Sequence, residues 1–411
     1  MGDPFVHLRV ASGYSLQYGA SHPSALVEAA AGFEMDTLAI TDRGGLYGAV
    51  RFAKACLGAG IAPIVGVDLA LAGERAGAPS AGRVVALATS RRGCASLCRL
   101  TSAVHLGGER GRPRVTRGQI GAHRDDVVVM LGADSDLGRA LAERDDARAE
   151  AVLRRWLEVV DRESLVVGVT HHRVAGAGPW SAGHAGRMLA FADAHGLAGV
   201  LTNAVRMARR TDAPVADVLD ATRRLVPLDL RNVDRRNAEG YLKSGKEMVA
   251  IADEVCRLAG RRDAERLFGD TRHLAVRCRL DPRADLGLGE IHLPEFEVLQ
   301  GSGDAFAELR RRCEAGLAAR YGSVDARARV STIDLRVDYL RPARLETLDA
   351  IAIVVRQGNR VGVADVKLFH PERPDEVIAT GKGVYNVTLV KSHDTYRDAK
   401  DAKDAKEKHE R

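Results

Sequence analysis

The feature that most constrains this chain is a regular alternation of short apolar strands and helices that begins near its first residue. The sequence predicts strands over 5–8, 37–42 and 61–71, with helices over 24–32 and 46–60 between them. Strands that are apolar along nearly their whole length indicate a buried parallel sheet covered by helices. The first part of the chain therefore belongs to the α/β class.

The same alternation continues to about residue 203. The later elements are predicted strands over 83–89, 126–131, 164–170 and 198–203, with helices over 91–103, 147–160 and 181–195. Strands and helices that alternate over this length form either an α/β layered sheet or a barrel. We assign residues 1–210 to this first domain.

A second region, residues 211–325, is predicted to be mainly helical and is rich in arginine. Within it, residues 281–300 contain two prolines and indicate an extended connector. The helix over 304–321 is amphipathic, and one apolar stripe contains Phe306, Leu309, Cys313 and Leu317.

The chain changes character after about residue 325, where lysine becomes frequent and strands follow one another without helices between them. Four strands are predicted over 332–340, 347–356, 360–369 and 376–389, and Gly358-Asn359 marks one turn. Their alternation of apolar and polar residues indicates a small antiparallel sheet with one solvent-exposed face. This segment is assigned to 326–391, and residues 392–411 form a charged tail with three Asp-Ala-Lys repeats.

Composition narrows the classes of function. A net charge of +6 and a sequence pI near 9.0 are compatible with binding a polyanion, whereas 4% aromatic residues argue against a stacking surface for single-stranded nucleic acid. No apolar stretch is long enough to cross a bilayer. Six widely spaced cysteines are typical of reduced thiols, so we expect a cytoplasmic protein without a membrane partner.

Three motifs occur in register along the first strands: His7 to Ser15, Ala39 to Gly48, and Gly60 to Asp68. With Leu201 to Arg206, they resemble the PHP domain at the N-terminus of bacterial C-family DNA polymerases. That family includes the DNA polymerase III alpha subunit and its error-prone relatives. The resemblance covers roughly residues 4–322 and implies a PHP-type distorted β/α barrel followed by a helical connector.

The resemblance also implies where a metal site would lie, and most of its ligands are missing. PHP domains that bind metal carry His-x-His, Thr-Asp-His, an acidic residue and Asp-x-His at the ends of strands. The matching positions here are Arg9 and Ala11, Thr41-Asp42-Arg43, Asp68, and Ala204-Val205-Arg206. Because arginine stays protonated and offers only donors, it cannot ligate a cation.

We therefore expect no catalytic residue, no metal and no cofactor at this vestigial site, with a divalent metal at Asp42 and Asp68 kept as the weaker alternative. Our hypothesis is that Arg9, Arg43 and Arg206 neutralise the two carboxylates in an ion-pair cluster. The alternative is that the arginines point to solvent. His7 precedes the ligand positions, so we expect it to be structural.

The polymerase family carries its catalytic carboxylates in a palm domain, and this sequence stops resembling the family before that domain. We therefore expect a truncated DNA polymerase III alpha-like protein of replication or repair, without polymerase activity. The resemblance implies a partner of the proofreading exonuclease type, or DNA. Arginine pairs at 223–224, 235–236 and 261–262 could contact phosphates, with solvated helix faces as the alternative.

The last segment resembles a different family. Val330 to Ala343, Val354 to Val361 and Ile378 to Gly383 are similar to the second half of a hotdog-fold acyl-CoA thioesterase of the phenylacetate-degradation type. This gives the alternative function of a thioesterase-like protein that takes acyl-CoA. Glu308 and Glu314 are then the candidate bases, and neither is favoured by its spacing.

A half-hotdog leaves an unpaired edge strand and an apolar face. We therefore expect this segment to form a homodimer through its sheet or to pack on its own helix. A third alternative is a chimeric or rearranged chain without settled activity, because two partial family patterns meet near 323–331.

Overall fold

The computed structural model describes residues 2–73, 80–108, 111–232, 237–261, 263–289, 305–321, 327–342, 347–358 and 360–390. The chain divides into two compact units, Met1–Ile291 and His292–Arg411. The two arginines at 235–236, Arg262, most of the predicted connector and the charged tail lie outside the described residues.

A curled six-stranded sheet forms the centre of the first unit. In chain order, its strands are β1 (Thr37–Arg43), β2 (Ala62–Leu71), β3 (Gly82–Ala88), β4 (Val127–Leu131), β5 (Leu165–Val169) and β6 (Ala198–Leu201), and neighbours in sequence are neighbours in the sheet. The α/β class is confirmed.

One strand departs from the predicted parallel sheet. β1 and β2 run parallel, as do β4, β5 and β6, whereas β3 is antiparallel to both of its neighbours. The reason is the length of the connection between β2 and β3: residues 72–81 are fewer than the dozen or more that a crossover between parallel strands needs.

Helices cover this sheet, and several begin or end at residues with a clear local cause. The helices of the first unit are α1 (Pro23–Gly32), α2 (Ala49–Ala59), α3 (Arg91–Gly107), α4 (Arg117–Ala122), α5 (Asp136–Ala142), α6 (Asp146–Leu157), α7 (Ala182–Ala194), α8 (Ala213–Arg224), α9 (Gly245–Leu258) and α10 (Ala264–Arg277). Ser244 and Glu247 form a reciprocal cap at the start of α9, and Gly60 ends α2 at a φ of 68°. α8, α9 and α10 confirm the predicted helical region.

The N-terminal segment joins the two edges of the sheet. The Ala39 and Thr41 amides of β1 donate to the carbonyls of His7 and Val10, at 3.1 and 2.7 Å, while the Ala11 amide donates to Val205 beyond β6 at 2.8 Å. The sequence predicted a strand over 5–8. The structure instead has an extended segment, because its hydrogen bonds alternate between two neighbours and form no continuous ladder with either.

The second unit contains one helix and an antiparallel sheet: α11 (Ala305–Tyr321), β7 (Arg327–Tyr339), β8 (Asp349–Gln357), β9 (Val361–Phe369) and β10 (Ala379–Val390). The strand order is β7-β10-β9-β8, which confirms the small antiparallel segment. The side chains of Phe306 and Leu309 are 67% and 59% exposed. These exposures do not support the alternative in which the sheet packs on its own helix.

Candidate functional site

The candidate site lies where the parallel strands of the first unit end. Arg43 is the last residue of β1, and its backbone lies opposite Asp68 of the neighbouring strand β2. Arg9 approaches from the N-terminal segment that closes the sheet. Because carboxyl ends of parallel strands meet at one edge, this is where functional groups gather in α/β folds.

Asp68 is held by two arginines. Its Oδ2 accepts from Arg9 Nη2 at 2.8 Å, and its Oδ1 accepts from Arg83 Nε at 2.6 Å. Arg9 also donates through both terminal nitrogens to the two carboxylate oxygens of Asp134, at 2.7 Å each. The side chains of Arg9 and Asp68 are almost fully buried. Four charges of alternating sign thus form one chain, Arg83, Asp68, Arg9 and Asp134, which we call the arginine clamp.

The clamp fixes the charge state of its members. Burial would raise the pKa of Asp68, but the charges of Arg83, Arg9 and Arg43 outweigh burial and hold that pKa at about 2. Burial would likewise lower the pKa of Arg9, and the charges of Asp134 and Asp68 raise it well above its ordinary value. Both groups are therefore ionised at neutral pH.

Asp42 lies outside the arginine clamp. It accepts from the Ser12 amide at 2.7 Å, from the Ser12 hydroxyl at 2.9 Å and from the Ser15 hydroxyl at 2.8 Å. Burial raises the pKa of Asp42, while the hydrogen bonds from the serines oppose that rise. The predicted neutralisation of Asp42 by arginine is wrong, because short hydroxyl side chains from the Ser12–Ser15 turn fill the space around it.

Arg206 and Arg43 meet at one aromatic ring. The terminal nitrogens of Arg206 donate to both carboxylate oxygens of Asp220, at 3.0 and 2.9 Å, and its guanidinium carbon lies 4.2 Å from the centre of the Tyr18 ring. The guanidinium carbon of Arg43 lies 3.1 Å from the same ring centre. Burial lowers the pKa of Arg43.

Of the arginines in the hypothesised cluster, Arg9 contacts Asp68, whereas the carboxylate partner of Arg206 is Asp220. The sequence analysis missed Arg83, Asp134 and Asp220. Arg83 could have been found from the short β2–β3 connection, since an antiparallel strand begins at the edge where its neighbour ends. No local signal marks the other two, because their roles depend on tertiary contacts.

The donor set does not fit a metal ion. The Asp68 and Asp134 oxygens that would face a cation already accept from guanidinium groups, and Asp42 is filled by serine donors. Within the described part of the chain, no three His, Cys, Asp or Glu side chains are grouped as a metal site. A cation would have to displace Arg9 from two carboxylates to bind here.

The histidines near the site have separate structural partners. His7 is fully buried with its Nε2 2.8 Å from the Lys243 carbonyl, and burial lowers its pKa to about 4 despite this hydrogen bond. His171 Nε2 lies 3.2 Å from Glu254, whereas His172 Nε2 lies 2.7 Å from the Asn203 carbonyl.

The described members of the arginine pairs bind within the protein. Arg223 donates to Asp220 at 3.1 Å, Arg224 donates to the Asn232 carbonyl at 2.9 Å, and Arg261 pairs with Asp193. The described arginines of these pairs, which were candidate phosphate ligands, therefore make hydrogen bonds within the protein.

In the second unit, Glu308 is unsuited to act as a base. It accepts from Arg311 at 2.7 Å and from Arg312 at 2.6 Å, and these hydrogen bonds lower its pKa to about 2. Glu314 is exposed on the same helix. Neither residue has an arrangement that favours acyl-thioester hydrolysis.

Comparison with known proteins supports both family resemblances. Residues 7–172 match the family model of the PHP domain, and residues 309–376 match that of the thioesterase superfamily. The second match begins within α11, before the first strand of the antiparallel sheet. The described residues include no helix long and apolar enough to cross a membrane.

The most similar relatives include large polymerases. An error-prone DNA polymerase of Anaeromyxobacter dehalogenans is 34% identical over 340 residues, which are 81% of this chain and 27% of that protein. The DNA polymerase III subunit alpha of Pseudomonas aeruginosa is 29% identical over 303 residues, which are 73% of this chain and 24% of that protein. The chain thus spans about a quarter of the length of these relatives.

Parts of the chain are also similar to solved structures. A thioesterase of Haemophilus influenzae is 17% identical and covers 22% of this chain and 60% of its own, with a TM-score of 0.16. A Bacillus halodurans protein solved with CoA is 21% identical and covers 24% of this chain and 60% of its own, with a TM-score of 0.15. Similarities at this level carry no argument about function.

Proposed function

Because the chain carries a PHP domain related to DNA polymerase III alpha subunits and error-prone polymerases, with a thioesterase-superfamily segment, we propose that its PHP domain is a metal-free structural module of a cytoplasmic DNA replication or repair protein. The observation that carries this proposal is the arginine clamp. Arg9 joins Asp68 and Asp134 at the strand ends, where the family resemblance places the metal ligands.

The clamp supplies a physical reason for losing hydrolysis while keeping the fold. Carboxylates gathered at one sheet edge repel one another unless a cation neutralises them. In this chain the guanidinium groups of Arg9 and Arg83 provide that positive charge. A guanidinium can neutralise the carboxylates, but it cannot lower the pKa of a bound water as a metal does.

Metal analysis of the full chain tests the proposal. After purification in the presence of Zn²⁺ or Mn²⁺ and removal of free metal, we expect far less than one ion per chain and no metal-dependent hydrolysis of bis-p-nitrophenyl phosphate. The matched control restores the ligand types with Arg9→His, Ala11→His, Arg43→His, Ala204→Asp and Arg206→His in one chain, and folding is checked by circular dichroism. Stoichiometric metal with metal-dependent activity in the natural sequence would overturn the proposal.

The module would then act by binding, and we propose a protein of the proofreading exonuclease type as its partner. Support comes from the family resemblance and from the arginine clamp, which neutralises the strand-end carboxylates within the chain. Size-exclusion chromatography of the full chain with a purified proofreading exonuclease should give a complex that survives 0.2 M salt. DNA binding that weakens steeply with salt, without such a complex, would identify DNA as the partner instead.

For the second unit, we propose association of two copies through the sheet. Residues directly opposite one another across the strands share a face. Leu335, Gly383, Ala364 and Val354 lie in one such row, and Val337, Gly381, Val366 and Ala352 lie in the next. Leu335 and Val354 are 60% and 66% exposed. An apolar face of this kind is typical of an interaction surface.

A further inference from the structure

The positive charge of the chain is concentrated in one stretch of sequence. Residues 89–117 contain seven arginines and one acidic residue, so their net charge is +6, which equals the net charge of the whole chain. Basic and acidic residues therefore balance over the rest of the sequence. Within this stretch, α3 contains Arg91, Arg92 and Arg99 and no aspartate or glutamate.

Helix α2 adds two further cations to the same surface and likewise contains no acidic residue. Both helices pack against β2, and Phe52 of α2 and Leu97 of α3 belong to one hydrophobic cluster. At one end of α3, His105 Nε2 lies 2.5 Å from the carbonyl of Gly44, in the loop before α2. The two helices thus present five cations together, which we call the basic face: Arg51, Lys54, Arg91, Arg92 and Arg99.

The cations of the basic face are exposed, and among the described residues only Arg92 pairs with a carboxylate. Its partner is Asp125, and both side chains are more than half exposed. Arg91 and Arg99 each donate one hydrogen bond to a neutral oxygen. Because these charges are not neutralised within the described part of the chain, they can pair with the charges of an anionic partner.

The shape of this surface suits an extended polyanion. α3 contains 17 residues and is therefore about 25 Å long. The exposed residues between and beyond its arginines include Ala95, Cys98 and Ser102, which are small and leave room for a close approach. The single Phe, Tyr or Trp of the two helices is Phe52, which is buried. The bases of a single strand would therefore find no ring on which to stack.

We propose that the basic face binds the sugar–phosphate backbone of duplex DNA without reading its sequence. Contacts between cations and phosphates supply binding that is independent of sequence. A row of cations separated by small residues matches the closely repeating phosphates of a duplex better than the uneven surface of an acidic protein. The inference goes beyond the proposed function, because the complex with an exonuclease and the binding of DNA are separate measurements, and either can fail alone.

Fluorescence anisotropy of a labelled duplex of about 20 base pairs, with the full chain at several salt concentrations, tests the inference. Five phosphate contacts predict that the logarithm of the association constant falls with the logarithm of the salt concentration with a slope of about −4.5. The triple variant Arg51→Gln, Lys54→Gln and Arg99→Gln removes three of these contacts. Its slope should be about −2, and its affinity at about 50 mM salt should be at least tenfold lower.

The matched control is the triple variant Lys246→Gln, Arg257→Gln and Arg266→Gln, which removes three exposed cations of α9 and α10 and changes the net charge equally. It should keep the slope and the affinity of the natural sequence, and circular dichroism confirms that both variants are folded. The inference is overturned if the natural sequence binds no duplex at about 0.1 mM protein and about 50 mM salt, or if the two triple variants bind equally. Displacement of the duplex by an equal charge concentration of poly-L-glutamate would overturn it in favour of an acidic protein partner.

Discussion

At the scale of single residues, the arginine clamp makes Asp68 far more important for stability than an exposed aspartate. Asp68→Asn leaves Arg83 without its carboxylate and removes one of the two partners of Arg9. Loss of one partner from a buried ion pair should lower the free energy of unfolding by about 3 kcal/mol. Urea unfolding followed by circular dichroism measures this change.

The matched control for that substitution is Asp125→Asn. Asp125 pairs with Arg92, and both side chains are more than half exposed. An exposed ion pair contributes little, so this variant should unfold at the same urea concentration as the natural sequence. Equal effects of the two substitutions would show that the clamp does not stabilise the barrel.

The burial of His7 should make the free energy of unfolding of the first unit depend on pH. Burial lowers its pKa to about 4 in the folded chain, whereas an unfolded histidine titrates near 6.5. The unfolded state therefore binds protons first as the pH falls. The stability contributed by neutral His7 is fully present above pH 6.5 and is lost as the pH falls to about 4.

The expected result is a free energy of unfolding that is smaller at pH 4.5 than at pH 7, with a smaller drop in the variant His7→Gln. Glutamine keeps a donor for the Lys243 carbonyl but has no proton to gain. Exposed His273 provides the control, since His273→Gln should keep the full drop. If His7→Gln shows the same drop as the natural sequence, the assignment to His7 is wrong.

At the scale of elements, the start of α2 is packed directly against the buried carboxylate of Asp42. A Cβ at Gly48 would lie 2.4 Å from Asp42 Oδ2 and 3.1 Å from Ser12 Oγ. Gly48→Ala should therefore lower the free energy of unfolding by about 1–3 kcal/mol, because neither the helix nor the serine turn can move freely. Chemical denaturation measures the difference.

Gly58 in the same helix is the matched control. No atom lies within 4 Å of a Cβ built there, and the residue is exposed. Gly58→Ala should raise stability by up to about 1 kcal/mol, since alanine is the better helix former. If both substitutions act in the same direction, packing against Asp42 is not what restricts position 48.

The elements also show what the sequence could and could not predict. The apolar runs over 37–42 and 61–71 located β1 and β2 because each run is buried on both faces. An apolar run does not indicate in which direction its strand runs, so the sequence did not predict that β3 is antiparallel to β2. For the same reason it did not predict that Arg83, at the start of β3, contacts Asp68. The pairing of Arg206 with Asp220 depends on how α8 packs, which no local pattern encodes.

At the scale of the whole molecule, two units with different relatives are joined in one chain. The PHP match lies within Met1–Ile291, and the thioesterase match lies within His292–Arg411. The first unit neutralises its strand-end carboxylates within the chain, whereas the second leaves apolar side chains of β7 and β8 exposed.

The apolar face of the second sheet predicts that the full chain is a dimer in solution. β7 and β8 are both edge strands, and the row that joins Leu335 to Val354 is apolar throughout. Leu335→Lys puts a charge on this face and should convert the dimer to a monomer in size-exclusion chromatography with light scattering. Ile353→Lys is the matched control, because Ile353 is similarly exposed but lies opposite Asp365, on the polar face. A monomeric natural sequence, or equal disruption by both variants, would mean that this face does not mediate association.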